Sequence, residues 1–235
     1  MILKQLADVT LADIEALVTS SVPEGRTLEY KAQFPGARDR DKQEFLHDVI
    51  AFANSDGGDL IFGVEARAGV ATAVPGALLT DPDAAILQLE GMLSSSVEPR
   101  IAGLRTHPIE VTPGAHVIVM RVPPSFAAPH AARNGTTRRF YSRDSRGKRE
   151  MDVHELRVAF GASEGLVPRL VALHEDAVRA VIDGELPFQL EGGPRAILSI
   201  MPMSALREPR ELELDHATAV HPVLDQGTDW SHSLE

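Results

Sequence analysis

The sequence contains no cysteine, only 5% aromatic residues, and no uninterrupted apolar run of the length that a membrane helix needs. The absence of cysteine excludes disulfides, thiolate catalysis and cysteine metal sites, so the composition does not favour secretion. A membrane helix needs about eighteen consecutive apolar residues, and a signal peptide needs a basic and then an apolar segment at the N-terminus. Neither pattern is present. We therefore expect a cytoplasmic protein with no membrane partner.

The charge is strongly negative but unevenly distributed. The 235 residues carry a net charge of −11, which by itself disfavours a nucleic-acid partner. Residues 164–235 hold thirteen acids against five arginines, whereas residues 126–150 hold seven bases against two acids. A basic segment therefore lies within an acidic chain.

Residues 1–163 show the periodicities of alternating helices and strands. Helical spacing follows Thr10, and the alternation over residues 26–31 predicts a strand with Leu28 and Tyr30 on one face and Glu29 and Lys31 on the other. We expect an α+β domain over residues 1–163, with a mixed sheet of four to five strands flanked by helices. Residues 164–235 are expected to form a small, acidic C-terminal α/β extension or a truncated second domain.

Capping residues predict where several helices begin and end. Asp41 with Glu44, Asp81 before Pro82, and Asp152 with Glu155 are typical of helix starts. The pair Gly57-Gly58 is typical of a helix end, because glycine adopts the left-handed conformation without a Cβ penalty. Strands are also predicted over residues 60–64, 109–112, 116–122, 139–143 and 195–201.

Three acids and a lysine form the candidate catalytic site. Glu24, Glu29 and Glu65 lie at the predicted edges of strands, and carboxylate oxygens are the ligands that Mg²⁺ and Mn²⁺ prefer. Such a metal could orient a water at a phosphodiester, and Lys31 could place a positive charge over the phosphate. We expect Mg²⁺ or Mn²⁺ and no organic cofactor. The alternative is that these glutamates are solvated strand ends.

Other common catalytic patterns are missing. The Gly57-Gly58 pair lacks the pattern of a phosphate-binding loop and follows its helix instead of preceding it. No nucleophile elbow or histidine metal motif is present, and His130, which follows Pro129 in a loop, is expected to face solvent. These observations leave the acids and the basic segment as candidates.

The basic segment combines arginines with aromatic residues. Phosphates would meet the charges, and an unpaired base could stack on the ring of Tyr141. The alternative is a solvated hairpin on an acidic protein. The candidate nucleic-acid-binding residues are Lys31, Arg138, Arg139, Tyr141, Arg143, Arg146, Lys148 and Arg149.

These residues together resemble a known family. The ordered motifs are Glu24-x4-Glu29-Tyr30-Lys31, Ala51-Phe52-Ala53-Asn54, Gly57-Gly58, Phe62-Gly63-Val64-Glu65, Pro129-His130 and Tyr141-Ser142-Arg143. They resemble the Schlafen-type AlbA_2 domain over roughly residues 10–163. Bacterial domains of this type often belong to proteins described as DNA-binding or transcriptional regulators, and the related fold of animal Schlafens cleaves transfer RNA.

The resemblance implies roles for individual residues. Glu24 and Glu29 match the first two acids of the nuclease trio, and Glu65 falls where the third, usually aspartate, would lie, with Asp59 as a fallback. Lys31 matches the family's lysine and Arg143 its late arginine. Animal Schlafens clamp transfer RNA between two such lobes, whereas this chain holds one, so a comparable site implies a homodimer.

Three functions follow as hypotheses. The first is a nucleic-acid-binding domain, for transfer RNA, other RNA or DNA, in regulation or defence. The second is a metal-dependent endoribonuclease that cleaves RNA resembling transfer RNA. The third is a protein-interaction or assembly domain, in which the acidic C-terminal segment recruits a basic partner or masks the basic segment. The sequence leaves open whether the chain is an enzyme.

Overall fold

A computed structural model describes residues 2–185 and residue 197 of the chain. The chain divides into two units, residues 1–167 and residues 168–235. The predicted boundary at residue 163 stays a prediction, and the strand predicted over residues 195–201 lies, apart from residue 197, outside the described residues. No helix in the described part of the chain is both long enough and apolar enough to cross a membrane.

The first unit contains a short 3-10 helix at Leu6–Asp8, eleven strands and most of the helices. The helices of the described chain are α1 (Leu11–Thr19), α2 (Asp39–Ala53), α3 (Pro82–Ser96), α4 (Val153–Glu164) and α5 (Leu166–Asp183). The strands are β1 (Leu28–Lys31), β2 (Gly58–Phe62), β3 (Glu65–Arg67), β4 (Val70–Ala73), β5 (Ala77–Leu78), β6 (Val97–Glu98), β7 (Arg105–Thr112), β8 (Ala115–Val122), β9 (Ala131–Asn134), β10 (Thr137–Asp144) and β11 (Gly147–Glu150).

The main sheet has five strands, and β8 lies at its centre. The strand β2 pairs with β8 in antiparallel fashion and with β1 in parallel fashion, so the sheet is mixed. The strand β7 pairs with the opposite edge of β8, and the two residues of β5 continue the edge that β2 occupies. The prediction of an α+β fold with a mixed sheet of four to five strands is therefore confirmed.

A second sheet carries the basic segment. Its strands have the order β11-β10-β9-β6, and all their pairings are antiparallel. The hairpin β3–β4 forms a separate two-stranded sheet. The side chain of Asn54, at the end of α2, donates to the carbonyls of His130 and Tyr141, both at 2.9 Å. The second sheet is therefore fastened to the C-terminal end of α2.

The two faces of the main sheet bury different side chains. Leu60 and Phe62 of β2 pack with α2 and α3, whereas Ile61 packs in the cluster that contains Ile14 of α1. Leu28 and Tyr30 of β1 belong to this second cluster. Because neighbouring side chains of a strand point to opposite faces, Glu29 and Lys31 lie on the α2 side of the sheet. The alternation predicted for this segment is confirmed.

The end of α2 follows the prediction made from its glycines. Gly57 has a φ of +73° and its N–H donates to the carbonyl of Phe52 at 2.9 Å, which closes the last turn.

The prediction for His130 is wrong, because this side chain is fully buried. Its Nδ1 lies 2.6 Å from the Pro99 carbonyl and its backbone N–H donates to Asn54 Oδ1 at 2.6 Å. These contacts hold the proline-rich loop before β9 against the protein interior.

Gly58 provides a test of the packing between α2 and β2. A Cβ at position 58 would overlap the ring of Phe52 and would lie 2.7 Å from the Thr27 carbonyl oxygen. Gly58→Ala should therefore lower the free energy of unfolding by about 2 kcal/mol. Gly91→Ala is the matched control, since a Cβ within α3 meets nothing within 4 Å. Gly91→Ala should raise the free energy of unfolding by about 1 kcal/mol, because alanine favours helix more than glycine does. Equal values for the two variants in urea unfolding would contradict this packing.

Candidate functional site

A cleft of about 420 Å³ lies where β1, α2 and the β10–β11 hairpin meet. We call it the charged cleft. The turn before β1 and the turn of the β3–β4 hairpin complete its wall. Four acids and four bases line it, so their formal charges cancel. These eight residues are Glu24, Glu29, Lys31, Glu44, Asp48, Arg143, Arg146 and Lys148.

Glu29 joins two cations in the charged cleft. Its Oε1 lies 3.1 Å from Lys31 Nζ and its Oε2 lies 2.7 Å from Arg143 Nη2. Burial raises the pKa of Glu29, but the positive charges of Lys31 and Arg143 and their hydrogen bonds outweigh burial, so the pKa falls below its ordinary value. Glu29 is therefore an ionised carboxylate at neutral pH, and both of its oxygens already have partners.

Glu24 lies beside Glu29 but in a different environment. Its Oε1 accepts a hydrogen bond from the backbone N–H of Tyr30 at 3.0 Å. Burial raises the pKa of Glu24, and the negative charge of Glu29 adds to the increase, while the Tyr30 hydrogen bond opposes it. The net shift is upward. The two neighbouring carboxylates thus have pKa values displaced in opposite directions.

Asp48 connects the two lysines of the charged cleft. Its side chain is 1% exposed, with Oδ2 at 2.9 Å from Lys31 Nζ and Oδ1 at 2.7 Å from Lys148 Nζ. Glu44, one turn earlier on α2, also contacts Lys31 at 3.2 Å. Burial lowers the pKa of Lys31, but Asp48 and Glu29 raise it by more, so this lysine stays charged. Asp48 holds β1, α2 and β11 together.

The sequence analysis missed Asp48 and Glu44 as site residues. The available signal was an aspartate within the most apolar part of α2, directly before Val49 and four residues before Phe52. An acid in such a position is rarely buried without a charged partner. Its four-residue spacing from Glu44 also places both acids on one side of the helix.

Arg143 lines the charged cleft although its side chain is almost fully buried, at 1% exposure. Besides Glu29, its Nη2 donates to the Gly25 carbonyl at 2.9 Å. The guanidinium lies 4.4 Å from the centre of the Phe52 ring, a favourable cation–π arrangement. Arg143 thereby fixes the position of Glu29.

The rest of the predicted basic segment divides into two groups. Arg146, in the β10–β11 turn, and Lys148 line the charged cleft. Arg146 has no ion-pair partner among the described residues, so its charge is available to a ligand. Arg138, Arg139 and Arg149 are outside the cleft lining and form surface ion pairs with Glu98, Glu150 and Glu155 respectively.

Tyr141 also lies outside the cleft lining. Its ring stacks on the imidazole of His47, with centroids 4.1 Å apart. Burial, together with the positive charges of Lys148 and Arg139, lowers the pKa of His47 to about 4. His47 is therefore neutral at neutral pH and packs as an aromatic ring, which leaves one face of Tyr141 occupied by the protein.

The structure brings Glu24 and Glu29 together, but it does not add Glu65 to them. Glu65 is exposed on β3 and is not part of the cleft lining. The fallback, Asp59, is fully buried and is paired with Arg121, with Oδ1 at 2.7 Å from Nε. Among the described residues, no group of three or more histidines or acids is arranged to hold a metal ion. The donor set present does not fit a metal site made of three carboxylates.

The fold and its charged cleft define an α+β domain with acids and bases facing one another. Residues 24–152 match the family model described as Schlafen, AlbA_2. This match covers more than half of the chain, and the chain belongs to the Schlafen AlbA_2 family. A search of the curated proteins found no match.

Two solved structures illustrate the likeness at low identity. The DIP2311 protein of Corynebacterium diphtheriae is 18% identical with a TM-score of 0.41, and the match covers 60% of this chain and 30% of that one. The N-terminal domain of a Nitrosomonas europaea protein named as related to the ATP-dependent DNA helicase RecG is 24% identical with a TM-score of 0.38. That match covers 49% of this chain and 74% of the domain. This chain thus spans under a third of the length of the Corynebacterium protein.

Replacing Asp48 tests whether its two ion pairs hold the charged cleft together. Asp48→Asn leaves Lys31 and Lys148 without their buried partner, so the free energy of unfolding should fall by about 3 kcal/mol. Asp56→Asn is the control, because Asp56 pairs with Arg26 at the exposed surface. Asp56→Asn should lower the free energy of unfolding by less than about 1 kcal/mol. Chemical denaturation of both variants measures the difference, and a similar small loss for the two would refute the role given to Asp48.

Proposed function

We propose that this domain binds nucleic acid by accepting phosphates of a strand in the charged cleft. The observation that carries the proposal is the meeting in one cleft of Lys31 from β1 with Arg146 and Lys148 from the β10–β11 hairpin. Arg146 makes the first contact, because it has no ion-pair partner among the described residues. Membership of the Schlafen AlbA_2 family supports this function. The proposal covers RNA and DNA.

A phosphate can contact Lys31 only by replacing one of the three acids that already contact this lysine, Glu29, Glu44 and Asp48. Glu44 is the acid best suited to give way, because its side chain is 53% exposed and it contacts Lys31 at the longest of the three carboxylate distances. Lys31 keeps its charge throughout, since Asp48 and Glu29 raise its pKa. In the bound state a phosphate oxygen takes the place of the Glu44 carboxylate beside Lys31.

Arg138 and Arg139, which lie outside the charged cleft, provide further contacts for the bound nucleic-acid strand. Arg138 and Arg139 are each about half exposed, and their ion pairs with Glu98 and Glu150 are of the surface type, worth less than about 1 kcal/mol. Such pairs are readily exchanged for contacts with phosphate. A nucleic acid as large as transfer RNA would extend beyond one domain, so we expect a homodimer on that substrate.

Binding should therefore weaken as salt rises and should depend on the cleft bases. Arg146→Gln and Lys148→Gln should each reduce the slope of log affinity against log salt by roughly 0.7 to 0.9, because each removes one phosphate contact. Fluorescence anisotropy with a labelled single-stranded RNA and a DNA of the same sequence measures this slope. The control is Arg105→Gln, an exposed base on β7 outside the cleft. An affinity that does not change with salt would contradict binding through phosphates. An equal reduction of the salt slope in Arg105→Gln would contradict the charged cleft as the binding site.

A second candidate function is cleavage of the bound RNA. The observation that favours it is the pair Glu24 and Glu29, which lie in one cleft with pKa values displaced in opposite directions. Neighbouring carboxylates with separated pKa values are typical of acid and base roles in catalysis. In this candidate function, Glu24 would exchange the proton, while Glu29 would stay ionised and keep Lys31 beside the phosphate.

The cleavage assay separates an enzyme from a binding domain. Wild-type protein is incubated with transfer RNA, with and without added Mn²⁺ or Mg²⁺, and the products are resolved on a denaturing gel. If the chain is a nuclease, Glu24→Gln and Glu29→Ala should each lower the rate by about a hundredfold or more. Glu98→Gln, an acid outside the cleft, should leave it unchanged. Intact RNA in every lane would leave binding as the function.

A further inference from the structure

A second cavity of about 300 Å³ adjoins the charged cleft, between the loop after β1 and the start of α2. Its largest apolar lining residues are Phe34, Phe45, Leu60 and Phe62. We call it the phenylalanine pocket. At this volume it lies at the lower end of the range of ligand pockets, which suits one small planar group.

The pocket and the charged cleft share a wall. Lys31, Glu44 and Asp48 line both of them. One ligand could therefore place a charged group beside Lys31 and an apolar group between the phenylalanines. Charged and aromatic side chains therefore lie next to one another along this wall.

Phe34 is the aromatic side chain that a ligand can reach. Phe45 and Phe62 are almost fully buried, at 3% and 2% exposure, whereas Phe34 is half-buried. The ring of Phe34 lies 5.0 Å from that of Phe62 at a tilt of 50°. A flat ring placed against Phe34 would extend this aromatic arrangement, and offset or tilted rings attract one another.

We propose that the phenylalanine pocket binds an unpaired nucleobase of the same strand whose phosphate lies in the charged cleft. This proposal rests on the proposed function. A nucleotide carries a negative charge and an apolar aromatic face side by side, and the two adjoining cavities offer that same pair of surfaces. Stacking of a base on an aromatic side chain tolerates any sequence, because every base has an aromatic face.

The proposal defines the class of substrate. A base within a double helix is stacked between its neighbours and cannot enter a side pocket unless it is flipped out at an energetic cost. The protein should therefore prefer single-stranded RNA or DNA, loops and strand ends over a continuous duplex. This preference would come from Phe34 and not from the number of phosphates contacted.

The test compares two labelled single strands with the same number of phosphates, one normal and one with abasic sites throughout. Wild-type protein should bind the normal strand about tenfold more tightly at one fixed salt concentration. Phe34→Leu keeps an apolar side chain but removes the aromatic face, so it should bind both strands as weakly as wild type binds the abasic one. Phe34→Tyr keeps the ring and should retain the preference.

Controls make each outcome decisive. Phe160→Leu removes a half-exposed ring of α4 outside both cavities and should bind as wild type does. Thermal unfolding of every variant shows whether it is folded. Equal affinity of wild type for the two strands, or a preference that survives in Phe34→Leu, would overturn the pocket proposal alone. Failure of wild type to bind either strand would overturn the proposed function together with it.

Discussion

The ion pairs of Asp48 are the interaction on which the arrangement of this domain depends. A carboxylate that is 1% exposed is stable only if its charge is compensated, and here two lysines from different strands supply the compensation. Lys31 comes from the main sheet and Lys148 from the second sheet. Asp48 on α2 therefore holds β1 of the main sheet and β11 of the second sheet in fixed positions, and the charged cleft lies between these strands.

The C-terminal end of α2 provides the other fastening between the sheets. Asn54 bonds to the backbone of His130, directly before β9, and of Tyr141 in β10, and Ser55 Oγ accepts from the Arg143 N–H at 2.8 Å. Arg143 then reaches across to Glu29 on β1. The second half of α2 and the two residues that follow it thus connect the cleft to the second sheet through Asp48, Asn54 and Ser55.

Much of the fold could be predicted from local sequence. Asp81 caps α3 as expected, with its Oδ1 accepting from the Ala84 N–H at 3.0 Å, and the strands β7 and β8 meet at Pro113-Gly114. These features depend on residues close together in the chain, where capping and turn chemistry act. The short strands β3, β4, β5, β6, β9 and β11 were not predicted. A strand of two to four residues shows little alternation, and β5 and β6 are defined by partners that are distant in the chain.

The candidate site was predictable only in part, because several of its contacts join residues that are far apart in the chain. Glu24, Glu29 and Lys31 lie within eight residues, so strand alternation was enough to place the last two on one face. The roles of Asp48 and His130 depend on long-range contacts, with Lys148 in one case and with Asn54 and Pro99 in the other. The apolar helix around Asp48 indicates that this acid has a charged partner but does not identify it, and the proline-rich loop around His130 gives no indication of its contacts. The separation of Glu65 from the other acids likewise follows from the path of the β3–β4 hairpin.

The parallel pairing of β1 with β2 has a consequence for the evolution of this domain. Their register sets Glu29 opposite Leu60 and Lys31 opposite Phe62. Insertion or deletion of a single residue within β1 would turn Leu28 and Tyr30 toward the cleft and bury the two charged residues among apolar side chains. Substitutions in this segment can change the chemistry of the domain by degrees, whereas changes of its length would destroy the core and the site in one step. We therefore expect related domains to vary in length in the surrounding turns and not in this strand.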